Sequence, residues 1–327
     1  MMTAVNRRLR RLAPQLAALF IILAAITIIS PGFLNVSFQN GRLYGSLVDI
    51  LVRAAPVALL TIGMTLVIAT KGIDLSIGAV IAISLGVGIV CGLWNGVLVA
   101  LLDIQPIIAT LILMVAGRGI AQLITEGVIL TFNNDSFSAI GSGAFAGVPL
   151  PVIIWITAAL LIGFLVRKSA LGFLIEATGI NRRAAALAGV RARFLLFFVY
   201  AVSGLCAAIA GMIVTADIRG ADANNAGLWL ELDAILAVVI GGTSLNGGRF
   251  SITASLIGAL IIQTINTGIL VSGFPPEFNL IIKAGIIMVV LTLQSPAIMT
   301  VLGFVKAPKP HAKPAATNGM TKEGTAR

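Results

Sequence analysis

The stretch RKSALGFLIEATGINRRAAALAGVRAR, residues 167–193, decides how the rest of the chain is read. It carries six Lys/Arg residues against one acid, Glu176, and apolar runs flank it at 150–166 and 194–216. Lys and Arg resist translocation, so a basic loop between two spans marks the cytoplasmic side. Within it, Glu176-Ala177-x-Gly179-x-Asn181-x-x-Ala184-Ala185 runs on to Gly189, a pattern that predicts a short small-residue helix between two glycines. Such a helix suits a groove in another protein. The loop therefore describes a membrane protein that passes force or information to a cytoplasmic partner.

Composition agrees. Hydrophobic residues make up 58% of the 327, charged residues 10%, and mean hydropathy is +1.07. A soluble domain carries about 25% charged residues, so the chain reads as an all-α polytopic transmembrane bundle. The net charge of +10 does not describe a nucleic-acid face. Arg7, Arg8, Arg10 and Arg11 carry +4, the 167–193 loop +5 and the tail from Lys306 another +4, leaving −3 elsewhere. Three basic clusters at the flanks of apolar spans are topology signals. Cys91 and Cys206 lie inside apolar runs and read as packed small hydrophobes. The one histidine, His311, sits in the polar tail, which argues against histidine catalysis or metal ligation. Gly241–Gly248 lacks the Gly-Lys-Ser/Thr of a phosphate loop, and Gly141-x-Gly143-x-x-Ala146 follows no strand, so the chain should bind no nucleotide cofactor itself.

Runs long enough to cross about 30 Å of hydrocarbon fall at 12–29, 47–70, 73–102, 107–125, 150–166, 194–216, 252–271 and 278–302. A shorter one at 233–245 ends in GGTSLNGGR and crosses only if broken or tilted. That makes about nine spans between a basic cytoplasmic N-terminus, 1–11, and a disordered cytoplasmic tail, 306–327, with the transmembrane domain at 12–305. Parity works after the basic loop and fails before it. Five spans separate two ends that should share the cytoplasm, and the suspect is 73–102. As one helix it would be about 45 Å long, too long for one crossing and too short for two. The expectation is a segment that enters and returns, bending around Gly86–Gly92.

Several motifs then carry a resemblance. They are Gly63-Met64-Thr65-Leu66-Val67-Ile68, Gly72-Ile73-Asp74-Leu75-Ser76-x-Gly78, Pro106-x-x-Ala109-Thr110-Leu111, the Glu176–Gly189 pattern, and Glu231-Leu232-Asp233-Ala234-Ile235 followed by Gly241-Gly242-Thr243-Ser244-Leu245. In this order, over about 47–302, they resemble the membrane permeases of bacterial ABC importers for monosaccharides, the ribose/xylose/arabinose permease group. Residues 216–229 are most similar to the galactofuranose permeases of that group. The resemblance implies a transport subunit and no enzyme, in the bacterial inner membrane. It implies a cytoplasmic ATPase that holds the ATP and Mg, a periplasmic sugar-binding protein, and a second permease subunit, identical or not. The family pattern suggests ten spans. Two departures stand out: Lys71 replaces a usual Gly, and about one span's worth of residues is missing between Ser84 and Gly92. A stand-alone channel or secondary transporter is the alternative, and it leaves the Gly-bounded loop helix unexplained.

Candidate sites follow. Glu176, Ala177, Gly179, Asn181, Ala184, Ala185 and Gly189 are expected to couple to the ATPase. Asp74 and Ser76 fit either a helix cap at a membrane boundary or a gate on the sugar path. Gly88, Gly92 and Gly96 fit close helix packing, and Asn95 beside them needs a polar partner. Gln263, Asn266 and Thr267 share one helical face and suit either sugar hydroxyls or interhelical hydrogen bonds. Asn224, Asn225 and Glu231 are placed on an exterior turn facing the binding protein. Arg118 is expected to pair with Glu126 or another helix, and Lys283 to snorkel outward.

Overall fold

The computed structural model describes residues 2–39, 41–80, 85–273, 275, 278, 280–285 and 288, of which 2–11 and 85–87 by backbone alone. The expected last span at 278–302 falls mostly outside these residues, and the tail from 306 wholly so. The compact unit of residues 1–287 holds every element that follows. Helices α1 (Met2–Ile29) and α2 (Ser46–Ala69) lead to the short α3 (Ile77–Val80) and to α4 (Leu85–Ala100). Then come α5 (Pro106–Thr125), α6 (Asp135–Ser142) and α7 (Leu150–Lys168), followed in the basic loop by α8 (Leu171–Ile180) and α9 (Arg182–Leu187). α10 (Ala192–Ile218), α11 (Leu230–Ile240) and α12 (Ile252–Val271) complete the order. Six of these, α1, α2, α5, α7, α10 and α12, are long and apolar enough to cross a membrane.

Local chemistry sets several boundaries. α5 opens on Pro106, whose missing N–H costs nothing in a first turn, and closes on Glu126 in the left-handed region at φ 53°. Asn134 caps α6 by accepting from Phe137 N at 3.1 Å, and Ser251 caps α12 from Ala254 N at 3.4 Å. The strands are short clasps: β1 (Ser37–Gln39), β2 (Arg42–Tyr44), β3 (Leu130–Thr131), β4 (Ala144–Phe145), β5 (Val148–Pro149) and β6 (Gly220–Ala221). They pair antiparallel as β1–β2, β3–β6 and β4–β5.

Contacts sort the helix ends into two faces. On the basic-loop face, Arg182 Nη1 meets Asp103 Oδ1 at 2.9 Å, Lys71 Nζ donates to the Ile180 carbonyl at 3.1 Å, and Gly248 N donates to the Ala69 carbonyl at 2.9 Å. A cavity of about 550 Å³ brings Leu12, Gln15, Arg167 and Gly241–Thr243 to the same face. On the opposite face, Leu43 N donates to the Gly147 carbonyl at 3.0 Å and Phe132 N to the Arg219 carbonyl at 3.1 Å. Residue 71 after α2 and residue 103 after α4 thus lie on one face. The 73–102 segment makes no net crossing.

Its geometry explains why. In a straight helix Ser76 and Asn95 would be about 28 Å apart; instead Asn95 Nδ2 donates to Ser76 Oγ at 2.8 Å. Val80 also packs beside Gly88. The chain goes in along 73–80 and returns along α4, as the parity argument requires. The turn is not where the glycines suggested. Residues 86–92 lie inside α4, and 81–84 lie outside the described residues. The glycines serve packing instead. Gly88 and Gly92 abut Gly204 of α10, Gly92 also meets the Tyr200 carbonyl, and Gly96 lies on Phe197. Irregular backbone at membrane depth persists only when shielded by protein, and this glycine seam supplies the shield.

The best-buried core lies toward the basic-loop face. Ile62, Leu66 and Val67 of α2, Leu98 and Val99 of α4, Ile175 of α8, and Leu195, Val199 and Tyr200 of α10 form one cluster. The loop is therefore packed into the bundle from below. Both cysteines are buried and free.

Candidate functional site

The basic loop folds as two helices: α9 is the expected short small-residue helix between Gly179 and Gly189, whereas Glu176 and Ala177 lie on the preceding α8. Asn181 ends α8 and caps α9, its Oδ1 accepting from Arg183 N at 3.1 Å and Ala184 N at 3.0 Å. A short polar side chain that competes for backbone N–H groups is the physical reason for the break. The small residues divide between two tasks. A Cβ on Gly179 would collide with the Ala69 carbonyl and crowd Gly248 N, so Gly179 seats the loop on the bundle rather than facing a partner. Ala185 is buried and its carbonyl accepts from Val190 N at 3.0 Å. Glu176 is half-buried and lines a cavity of about 330 Å³ with Arg167, Phe173 and Phe250; Ala177 is half-buried beside it in sequence. What the loop offers outward is Ala184, Gly189 and above all Leu187, 91% exposed. Sequence reasoning passed over Leu187, although it is the one large apolar residue in that run.

The base of the 73–100 hairpin is a buried polar cluster. Asp74, 1% exposed, accepts from Ser76 N at 3.1 Å and Ser76 Oγ at 2.6 Å through Oδ1, and from Ser203 Oγ at 2.8 Å through Oδ2. Asp74 therefore caps the entry to α3 and ties the hairpin to α10. Asn95 finds its partner within the hairpin, at Ser76, and its own Oδ1 has none among the described residues. Tyr200 OH, fully buried against Gly72, likewise has no hydrogen-bond partner among the described residues.

On the opposite face, residues 217–229 are sewn to the end of α5. Arg118 Nη1 donates to the Asn224 carbonyl at 2.7 Å and Nη2 to that of Ala226 at 3.5 Å, so its partner is not Glu126. Gln122 Nε2 donates to Asn224 Oδ1 at 2.9 Å, and Asn224 Nδ2 to the Gly127 carbonyl at 2.9 Å. Asn224 and Asn225 are exposed, yet both side chains are engaged, Asn225 with Asp222 at 3.0 Å. Hydrogen bonds from the Asn225 amide side chain and then the Asn225 and Asn224 backbones hold the Asp222 carboxyl below its ordinary range. Glu231 leaves the expected turn altogether. It is 5% exposed and lies over Gly78, with Oε2 unpartnered among the described residues. α11 has eleven residues, about 16 Å or half the hydrocarbon depth. Irregular chain completes that crossing, and Glu231 sits at the join.

Gln263 and Thr267 are buried, with Gln263 Nε2 donating to Thr267 Oγ1 at 3.4 Å, and Asn266 Oδ1 is buried without a partner among the described residues. α12 packs on α1, α2 and α11, and this face lines none of the cavities at the basic-loop end. Gln263 and Thr267 both belong to α12, so their bond lies within one helix and ties it to no neighbour. Lys283 does not snorkel: its Nζ holds both oxygens of Asp233, at 2.9 and 3.0 Å, in a largely buried pair. No group of three or more metal-ligating side chains occurs among the described residues.

Comparison with known proteins places this geometry. Residues 79–291 match the family described as branched-chain amino acid transport system / permease component. The galactofuranose transporter permease protein YtfT of Escherichia coli is 58% identical over 315 residues, covering 90% of this chain and 92% of its own. The fructose import permease protein FruF of Bifidobacterium longum is 40% identical over 307 residues, 85% of this chain and 86% of its own. The ribose import permease protein RbsC of Bacillus subtilis is 35% identical over 309 residues, 88% and 93%. No solved structure matches. In each alignment the aligned positions outnumber the covered part of this 327-residue chain by about twenty or more. The relatives thus carry about one span's length that this chain lacks. The hairpin is where two full spans fall short: α3 has 4 residues and α4 16.

Proposed function

This chain belongs to the permease-component family matched above, as a multi-pass transport subunit rather than an enzyme, and we propose that the solute it moves is galactofuranose. The 58% identity to a galactofuranose permease, over nine-tenths of both chains, carries that reading. Fructose and ribose permeases lie further out, at 40% and 35%. The seam at 217–231, with its broken crossing, is the irregular segment best suited to line a path.

Motive force would come from a separate ATPase that holds ATP and Mg, docked on the face built by α8 and α9. The basic loop, and with it both termini, would face the cytoplasm of a bacterial inner membrane. A sugar-binding protein would deliver solute at the opposite face, and a second permease subunit would complete the channel. Leu187 supports the docking role: an apolar side chain 91% exposed at the tip of a loop seated by Gly179 is a ready knob for a partner's groove.

The test is uptake of labelled galactofuranose, against ribose and fructose, in cells whose own sugar permeases are deleted. Galactofuranose uptake restored by this chain with its ATPase and binding protein is expected; restoration by ribose or fructose alone overturns the sugar. For docking, Leu187→Glu should lower ATPase co-purification at least tenfold with insertion unchanged. Ala185 is unsuitable for this purpose, since a charge at its buried site would disturb the fold.

A further inference from the structure

We propose that the arginine-walled groove at the foot of α10 binds the headgroup of an anionic phospholipid. The groove encloses about 870 Å³ between α9 and the start of α10, and Arg182, Arg183, Arg191 and Arg193 stand around it with Asp103 and Phe194. Arg182 is already committed to Asp103 and to the Ala100 carbonyl. Arg183, Arg191 and Arg193 are exposed and make no ion pair among the described residues. Three uncompensated guanidinium groups around one cavity select an anion with several oxygens. The helix end adds to this: Arg191 gives α10 no side-chain cap, which leaves first-turn N–H groups at a positive terminus.

Depth identifies the source of the anion. α10 has 27 residues, about 40 Å, against a hydrocarbon core of about 30 Å, so roughly a turn at each end lies in the headgroup layer. Arg191 and Arg193 occupy that turn. Phe194 beside them is 72% exposed, an apolar ring placed to meet an acyl chain while the arginines meet the phosphate. Ala186 of α9 and Val190 of the link to α10 also line the groove. A bound headgroup therefore fixes the angle between the partner-facing helix and the membrane. The inference rests on the membrane orientation proposed above, with the basic loop facing the leaflet that carries the anionic lipid.

The experiment uses the full-length permease in nanodiscs of phosphatidylethanolamine and phosphatidylglycerol, with lipid retention read by native mass spectrometry after release. Wild type should retain phosphatidylglycerol selectively. Arg191→Gln with Arg193→Gln should weaken retention about 25-fold, fivefold for each charge. The Lys double variant should keep most of it and report that the fold is intact. Equal retention by wild type and the Gln variant overturns the proposal. So does competition by millimolar inorganic phosphate in place of lipid. A Gln variant that keeps its lipid but loses ATPase co-purification would make the groove a protein-docking surface and also sink the proposal. Sugar uptake is not the readout, so a wrong sugar leaves this result interpretable.

Discussion

The chain abandons regular helix twice, at the 73–100 hairpin and at 217–231, and the two breaks are held by different means. The hairpin is held from within. Asp74, Ser76, Asn95 and Ser203 form one buried hydrogen-bonded set, and glycines of α4 lie directly on Gly204 of α10. The second break is held from its rim, by Arg118, Gln122 and the Gly127 carbonyl acting on an exposed Asn224. Opening the first would strand polar groups in a low-dielectric interior. Opening the second exchanges hydrogen bonds with water at modest net cost. Of two irregular segments, the second is the one whose opening the fold can tolerate, and the first is the frame it opens against.

The largest expected effect attacks the frame. A Cβ on Gly204 collides with the Gly88 carbonyl and crowds Gly92, both backbone, so neither neighbour can yield by a rotamer change. Gly204→Leu should cost about 3 kcal/mol or more and drop the yield of detergent-stable protein severalfold. A thermal midpoint within 2 °C of wild type, about 1 kcal/mol for a chain of this size, would show that the hairpin is loosely seated and would erase the contrast.

Next in size is the polar tie. Asp74→Ala leaves Ser76 N, Ser76 Oγ and Ser203 Oγ without their acceptor, a loss of about 2–3 kcal/mol. Combined with Ser203→Ala the two losses should be clearly non-additive, because they share one bond. Strict additivity in chemical denaturation would mean that Asp74 serves the hairpin alone.

Much of this division was legible beforehand and some was not. The basic loop and the failed span count together required 73–102 to fold back, because helical rise and membrane thickness leave no other path. The glycine spacing correctly indicated a packed face, but placed the turn wrongly, since a repeat every fourth residue favours a helix interior over a bend. Asn181 was readable as a cap, a short polar residue before Arg182-Arg183-Ala184, and was passed over because the loop was read as one motif. Ser203 for Asp74, and Asp233 for Lys283, were not readable: each pair is distant in sequence and chosen by tertiary packing. Glu231 was misplaced for a related reason. Its neighbours read as a polar turn, and nothing local says that Gly78 leaves room to bury it.

A smaller effect is expected at the rim. Arg118→Gln removes two hydrogen bonds to the 224–226 backbone, at a cost of about 1 kcal/mol. Global stability should barely change. Amide exchange across 220–229 should instead rise about fivefold while 73–80 and 88–100 stay protected. Equal acceleration in both regions would mean that they open as one unit.

The smallest effect is a pH dependence confined to the same rim. Asp222 accepts from Asn224 N at 2.9 Å, Asn225 N at 3.0 Å and Asn225 Nδ2 at 3.0 Å, bonds that favour the ionised carboxylate and lower its pKa. A depressed folded-state pKa contributes stability that is present above the unfolded value, near 4, and is lost as pH falls through the lower folded value. Acidification below about pH 4 should therefore loosen 222–226 before it loosens the hairpin, whose ties are shielded from solvent. Asp222 is half-buried but its hydrogen bonds lie at the surface, so water competes for them and the change should be just resolvable in amide exchange. Asp222→Asn should abolish the acid step at 222–226 and leave neutral-pH exchange slightly raised. An acid step that survives the substitution would assign it to another carboxyl on that face, Asp217 or Asp135 being nearest in the chain to the β3–β6 clasp.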